Sequence, residues 1–155
     1  MDEPRFLADS MLGKVARWLI LLGYDTSFAG ANACSDLELL EQAYKEGRVF
    51  LTRDTKIPEV AGLRKIILRE QRFEDQLIHI LKELELKPQR RRLFTRCTYC
   101  NKILESVLRD EALPQVPPLV RGLETQFFRC PSCRRFYWNG THTERTIKKL
   151  GRMGL

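Results

Sequence analysis

The sequence predicts an α/β domain built on a parallel sheet, followed by a small second module held together by cysteines. Three observations predict it. Strand-like and helix-like segments alternate through residues 5–84. The surplus of positive charge begins only after Pro88, and four of the five cysteines form two CxxC pairs, Cys97/Cys100 and Cys130/Cys133. A chain of 155 residues has room for one compact domain plus an appended module. With 43% hydrophobic and 30% charged residues, the composition is globular rather than disordered or fibrous.

Arg5-Phe6-Leu7-Ala8 reads as a short buried strand ending at Asp9. Met11, Leu12, Val15, Trp18, Leu19 and Leu22 then recur at helical spacing, which predicts an amphipathic helix stopped by Gly23. Tyr24 to Ala29 forms a second strand, ahead of a small-residue loop from Gly30 to Ala33. Ser35 or Asp36 caps the next helix, since either side chain can accept a backbone N–H bond. Leu37, Leu39, Leu40, Ala43 and Tyr44 give that helix its apolar stripe, and Gly47 ends it. Arg48 to Thr52 is the clearest strand. Lys65 to Arg69 follows a turn around Pro58 to Gly62, and a helix from about Phe73 to Leu84 closes the part.

This order predicts a parallel sheet covered by helices on both faces. Right-handed crossovers place every strand C-terminus on one edge, where such sheets bind ligands. Lys87 to Arg92 breaks the helix at Pro88 and reads as a basic linker, so the expected division is 1–88, a linker at 89–92, and 93–155. Pro117-Pro118 interrupts the second part with a turn or extended stretch.

Residues 1–88 hold 13 Lys+Arg and 15 Asp+Glu, net −2, whereas 89–155 hold 14 and 5, net +9. A basic surface attracts polyanions, so nucleic acid is the first partner to consider. The longest apolar run, Trp18 to Leu22, falls far short of the roughly 20 residues that span a bilayer, so no membrane partner is expected. Residues 1–9 lack the pattern of a secretory signal, and cytoplasmic residence is expected. In a reducing compartment, paired CxxC turns favour metal over disulfide.

Asp9 follows the first strand and Asp54 the third, so a parallel sheet puts both carboxylates at one edge. Asp36, opening the second helix, can lean toward that edge. Three carboxylates brought together repel one another, and a divalent cation such as Mg2+ or Mn2+ is the economical remedy. Such a cation would support phosphoryl hydrolysis. Cys97, Cys100, Cys130 and Cys133 present four thiolates, enough to close a tetrahedral structural zinc site, although 29 residues separate the two pairs. His142 is either a substitute ligand or an RNA contact. Cys34 reads as a small loop or buried residue.

Phe6 through Leu19, Leu22 through Thr26 and Gly47 through Asp54 resemble the Mut7-C family, a PIN-like RNase domain. Phe94 through Cys97, Cys100-Asn101, Pro117-Pro118, and Cys130 through Arg145 resemble that family's zinc-ribbon half. The resemblance implies a three-layer PIN-like domain with a central parallel sheet, plus a C-terminal zinc ribbon and helical tail. It implies a metal-dependent ribonuclease in which Asp9, Asp36 and Asp54 hold the cation and Thr52 orients them. PIN sites usually show a fourth acid, for which Glu38, Glu59 or Asp75 are the candidates.

Lys14, Arg17 and Arg53 lie near the acids in sequence and are candidate phosphate contacts, though Arg53 can equally neutralise Asp54. Arg90, Arg91, Arg92, Arg134 and Arg135 are candidate RNA contacts in the basic part. Phe127, Phe128, Phe136, Tyr137 and Trp138, interleaved with arginines, can stack on unpaired bases, though at least half are expected to be core. The expected activity is hydrolysis of RNA phosphodiester bonds. The alternative is a protein that keeps the scaffold, has lost catalysis, and binds RNA or a ribonucleoprotein. A phosphoacceptor domain would want adjacent acids after the first strand and a lysine after the last, and Asp9-Ser10 and Arg69-Glu70 supply neither.

Overall fold

The computed structural model describes residues 2–30 and 34–155. They fall into two compact units, residues up to Phe94 and residues from Thr95 onward.

In the first unit, β1 (Phe6–Ala8), β2 (Thr26–Phe28), β3 (Val49–Thr52) and β4 (Lys65–Ile67) form one parallel sheet in the order β2-β1-β3-β4. The two central strands, β1 and β3, are buried at every residue, as their unbroken apolar sequences require of strands covered on both faces. Three helices flank the sheet: α1 (Gly13–Leu21), α2 (Asp36–Glu46) and α3 (Phe73–Glu83). Leu7 and Phe50 are register partners and point to one face. There they pack with Leu39, Leu40 and Ala43 of α2 and with Ile57. Burying Phe50 alone is worth about 2–3 kcal/mol. Phe6 and Ala8, also fully buried, point the other way, toward the layer where α1 and α3 pack on each other. Trp18 stacks on Phe73 in that layer, with ring centroids 5.4 Å apart.

The expected α/β class and parallel sheet are those of the structure. Strand ends differ by a residue or two. β4 stops at Ile67 because Leu68 N donates the last ladder bond, to Thr52 O at 2.8 Å, where β3 ends. Ser35, rather than Asp36, caps α2. Its hydroxyl accepts from Glu38 N at 3.3 Å, while the Glu38 carboxylate accepts from Ser35 N at 2.7 Å. Gly47 closes the helix with φ of 62°, the left-handed conformation that glycine adopts without strain. Ala31 to Ala33, within the loop expected after the second strand, lie outside the described residues.

The segment expected as a linker groups with the first unit. Arg90–Arg92 makes one 3-10 turn, Arg92 donates to Gly23 O at 3.0 Å, and Phe94 N donates to Leu21 O at 2.9 Å. Arg92 also pairs with Glu3 and lies over the Tyr24 ring. These bonds satisfy carbonyls at the C-terminal end of α1, which is why the chain stays docked past Pro88.

The second unit holds β5 (Glu105–Val107), β6 (Phe127–Arg129) and β7 (Phe136–Trp138), an antiparallel sheet in that order. The 29 residues between the cysteine pairs carry β5, the short α4 (Arg109–Ala112) and a 3-10 turn at Pro118–Val120. Ala112, Val116 and Val120 from this insertion meet Phe127, with Phe136 and Trp138 packed against them. α5 (Thr141–Arg152) follows the sheet.

Candidate functional site

Two sites emerge, one in each unit. In the first, Asp9 stands one residue past β1 and is 9% exposed. Its Oδ1 accepts from Met11 N at 3.0 Å, capping the turn Ser10–Leu12. Its Oδ2 accepts from the Thr52 hydroxyl at 2.6 Å and from Arg53 N at 3.4 Å. Asp9 therefore holds a nearly buried carboxylate on a hydroxyl and two backbone N–H groups, none of which carries a charge. The buried Thr52 hydroxyl also accepts from Asp54 N at 3.0 Å, so one side chain ties the ends of β1 and β3 together. Asp54 is exposed, and its Oδ1 accepts from Lys56 N at 2.8 Å in an Asx turn. Asp36 is the exposed first residue of α2.

Among the described residues, the one set of three or more His, Cys, Asp or Glu side chains with all ligand atoms within 4.8 Å of one another is the cysteine quartet. The carboxylates Asp9, Asp36 and Asp54 do not form such a set. Glu38 is spent on the helix cap, Glu59 pairs with Lys65 at 2.6 Å, and Asp75 sits in the first turn of α3.

An acid passed over in the sequence lies at the same edge. Glu70 follows β4, its backbone O accepts from Arg53 at 2.9 Å, and its Oε1 lies 2.6 Å from His79 Nδ1. The other carboxylate oxygen, Oε2, is buried with no hydrogen-bond partner. Burial pushes the Glu70 carboxyl up, but bonds from backbone N–H groups and from His79 outweigh it, leaving the group below its ordinary value. For His79 burial opposes the charged ring, yet Glu83, at 3.0 Å from Nε2, and Glu70 outweigh it and raise the pKa. The one sequence signal was position, three residues past the last strand.

The remaining cations of this unit are placed in various ways. Arg53 is committed to the Glu70 carbonyl, and Lys14 Nζ lies 4.4 Å from the centre of the Phe73 ring. Arg17, Arg90 and Arg91 are exposed, whereas Arg92 is tied to Gly23 and Glu3. Cys34 is exposed.

In the second unit, Cys97–Asn101 and Cys130–Arg134 make two matching turns. In each, the residue after the second cysteine has positive φ, 61° at Asn101 and 66° at Arg134, and its N–H returns to the carbonyl of the first cysteine. Cys100 N and Cys133 N point at Cys97 Sγ and Cys130 Sγ, at 3.4 and 3.5 Å. Cys97 Sγ and Cys133 Sγ lie 3.7 Å apart, and no disulfide links them. Sulfurs around a tetrahedral zinc at about 2.3 Å stand about 3.8 Å apart, so the quartet has the size to hold a structural zinc ion. Burial opposes ionisation of Cys133, but the backbone N–H and guanidinium of Arg135 outweigh it and lower that thiol to about 6. Burial and the neighbouring thiols push Cys100 up to about 11. Of these two, Cys133 is the readier to ionise. The Tyr137 hydroxyl lies 3.0 Å from Cys97 Sγ.

Most of the aromatics expected for base stacking are used internally. Phe127 is 1% exposed, Phe136 and Trp138 pack on the core, and Tyr137 faces the cysteines. Among the described residues of this unit, the exposed aromatic is Tyr99, between the first two cysteines, with the Arg135 guanidinium 3.9 Å from its ring centre. Arg134, Arg135 and His142 are exposed, as are Arg145, Lys148 and Arg152, spaced along one face of α5. That spacing is readable in the sequence itself.

In comparisons with known proteins, a family model described as the Mut7-C RNAse domain matches residues 4–150. No curated protein and no solved structure gave a match.

Proposed function

Since the chain belongs to the Mut7-C RNAse domain family, we propose that it is a divalent-cation-dependent ribonuclease that hydrolyses RNA phosphodiester bonds. The observation that carries this reading is the Asp9–Thr52–Asp54 arrangement. A carboxylate that is nearly buried and held by uncharged donors lies at the C-terminal edge of a parallel sheet, the edge at which such sheets bind ligands.

Asp9 and Asp54 would hold a Mg2+ or Mn2+ ion, and Asp36, which does not gather with them here, would have to move toward them to serve as the third acid. When bound, that ion supplies positive charge against the carboxylates and against the charge that develops on the phosphoryl oxygens. Thr52 fixes the rotamer of Asp9 by donating to it, and so holds the ligand in place before the substrate arrives. Arg53, anchored on the Glu70 carbonyl, holds the start of the β3–β4 connection steady beside Asp54. In the hydrolysis, water oxygen bonds to phosphorus, the bond to the leaving ribose oxygen breaks, and that oxygen gains a proton. The cysteine quartet would hold zinc in a structural role, since four thiolates leave no open coordination position. The second unit, with its surplus of cations, would supply most of the affinity for RNA.

The test is Mn2+-dependent cleavage of mixed single-stranded and structured RNAs by the full chain, compared with Asp9→Asn and Asp54→Asn. Each variant keeps side-chain size and should lose cleavage by at least about a hundredfold while retaining RNA binding. Binding without cleavage by the wild type would favour the non-catalytic alternative. Unchanged cleavage in Asp54→Asn would remove that residue from the mechanism.

A further inference from the structure

Tyr99 occupies the tip of the first cysteine turn, two residues after Cys97, and is 62% exposed. A large aromatic side chain held in water at a tight turn gives up burial that it would gain elsewhere. The ring also carries a cation. The Arg135 guanidinium lies 3.9 Å from its centre, and the Arg135 backbone is tied to the second turn, its carbonyl accepting from Cys130 N at 2.9 Å. Tyr99 comes from one cysteine turn and the cation that steadies it from the edge of the other, so both parts are fixed by the same metal-binding framework. Arg134, beside Arg135, is exposed. The whole lies in the part of the chain that carries net +9.

An exposed aromatic ring that carries a guanidinium, with a second exposed arginine next to it in sequence, suits a ligand with a π-face and a negative backbone. An unpaired nucleobase stacks on such a ring while its phosphates meet the arginines, and the ring accepts any base because every base has a π-face. Bases within a duplex are already stacked and do not offer that face. We propose that Tyr99, steadied by Arg135, is a stacking platform for one unpaired base of single-stranded RNA, and that this platform gives the protein its preference for single strands. The proposal rests on the reading that RNA is the ligand. It does not depend on whether the first unit cleaves it.

The experiment uses the full zinc-loaded chain with two fluorescently labelled probes. These are a mixed-sequence single-stranded RNA of about 12 nucleotides and a duplex with the same number of phosphates. Tyr99→Ala should weaken single-strand binding roughly tenfold and leave duplex binding within about twofold, with the salt dependence unchanged, because stacking releases no counterions. Tyr99→Trp should restore the affinity, and addition of the single strand should quench the fluorescence of the added indole. Zinc content and circular dichroism equal to wild type keep a folding defect from passing as a binding one. Equal single-strand affinity for Tyr99→Ala and wild type overturns the proposal and assigns the exposed ring to a protein partner instead. Equal losses on both probes, or no binding of single strands by the wild type, overturn it as well. Asp54→Asn reads the other question separately, since lost cleavage with Tyr99-dependent binding intact supports both proposals. A Tyr99-independent nuclease overturns the platform alone.

Discussion

At the scale of single residues, the fold leaves the charge of Asp9 without a cationic partner in its hydrogen bonds, and Thr52 does most of the holding. Thr52→Val keeps the shape and removes the donor. The carboxylate then loses a bond of the charge-assisted kind, worth about 1.5–3 kcal/mol. The expected result is a stability loss of that order in urea unfolding, together with a large fall in Mn2+-dependent cleavage that Thr52→Ser restores. The His79 ring, between Glu70 and Glu83, makes a second residue-scale prediction. Its folded pKa lies above the ordinary 6.5, so the stability it contributes is fully present below 6.5 and disappears as pH rises through the folded value. Glu70 lies below its ordinary 4.5, so its contribution is present above 4.5 and disappears as pH falls through the folded value. The pair is strongest between those limits. Both side chains are about a third exposed, which keeps the effect to about 0.5 kcal/mol. Urea midpoints of wild type minus His79→Gln, taken at about pH 5.5 and 8, should shrink at the higher pH.

Among elements, the docked turn at Arg90–Arg92 depends on one glycine. A Cβ at Gly23 would stand 2.5 Å from the Arg92 carbonyl oxygen, and the backbone there has φ of +92°. Gly23→Ala should therefore cost about 1–3 kcal/mol and release residues 89–94, seen as faster amide exchange at Phe94. Nothing in the local sequence indicated this docking, because a run of basic residues after a proline has the composition of a solvated linker. What ties it down are the carbonyls of Leu21 and Gly23, far back in the chain. The central strands were legible because β1 and β3 are continuous apolar runs, and α2 because Ser35, Glu38 and Gly47 mark its ends locally. The Asp9–Thr52 bond links residues 43 positions apart, so its existence followed only once the parallel register was known. Glu70 escaped notice for the same reason, since a single acid after a short strand gains meaning only from what the neighbouring strand places beside it. The cysteine turns were plain from spacing alone. Cys97→Ser, or removal of metal by a chelator, should unfold the unit beyond Thr95 while most near-native amide protection before Phe94 persists, because the two units have separate cores.

For the molecule as a whole, the second unit carries most of the surplus charge: residues up to Phe94 hold 16 Lys+Arg and 15 Asp+Glu, net +1, and residues from Thr95 onward hold 11 and 5, net +6. Neutralising Arg145, Lys148 and Arg152 together should weaken RNA binding and reduce the slope of log affinity against log salt by about 2, since each phosphate contact on a single strand contributes roughly 0.7. Anisotropy titrations between about 50 and 200 mM salt measure it, and an unchanged slope would mean that α5 faces away from the backbone of the RNA. The separation of the cysteine turns also orders events during synthesis. The first unit is complete by Phe94, whereas the fourth sulfur, Cys133, comes 33 residues after Cys100. At about 5–20 residues per second on the ribosome, that interval lasts a few seconds, during which one pair of thiols waits without the other. The part that carries the carboxylates is therefore completed on the nascent chain first and the cysteine quartet afterwards, so that, if the quartet holds zinc as proposed, metal-starved cells would yield a chain with a finished first half and an unfinished second.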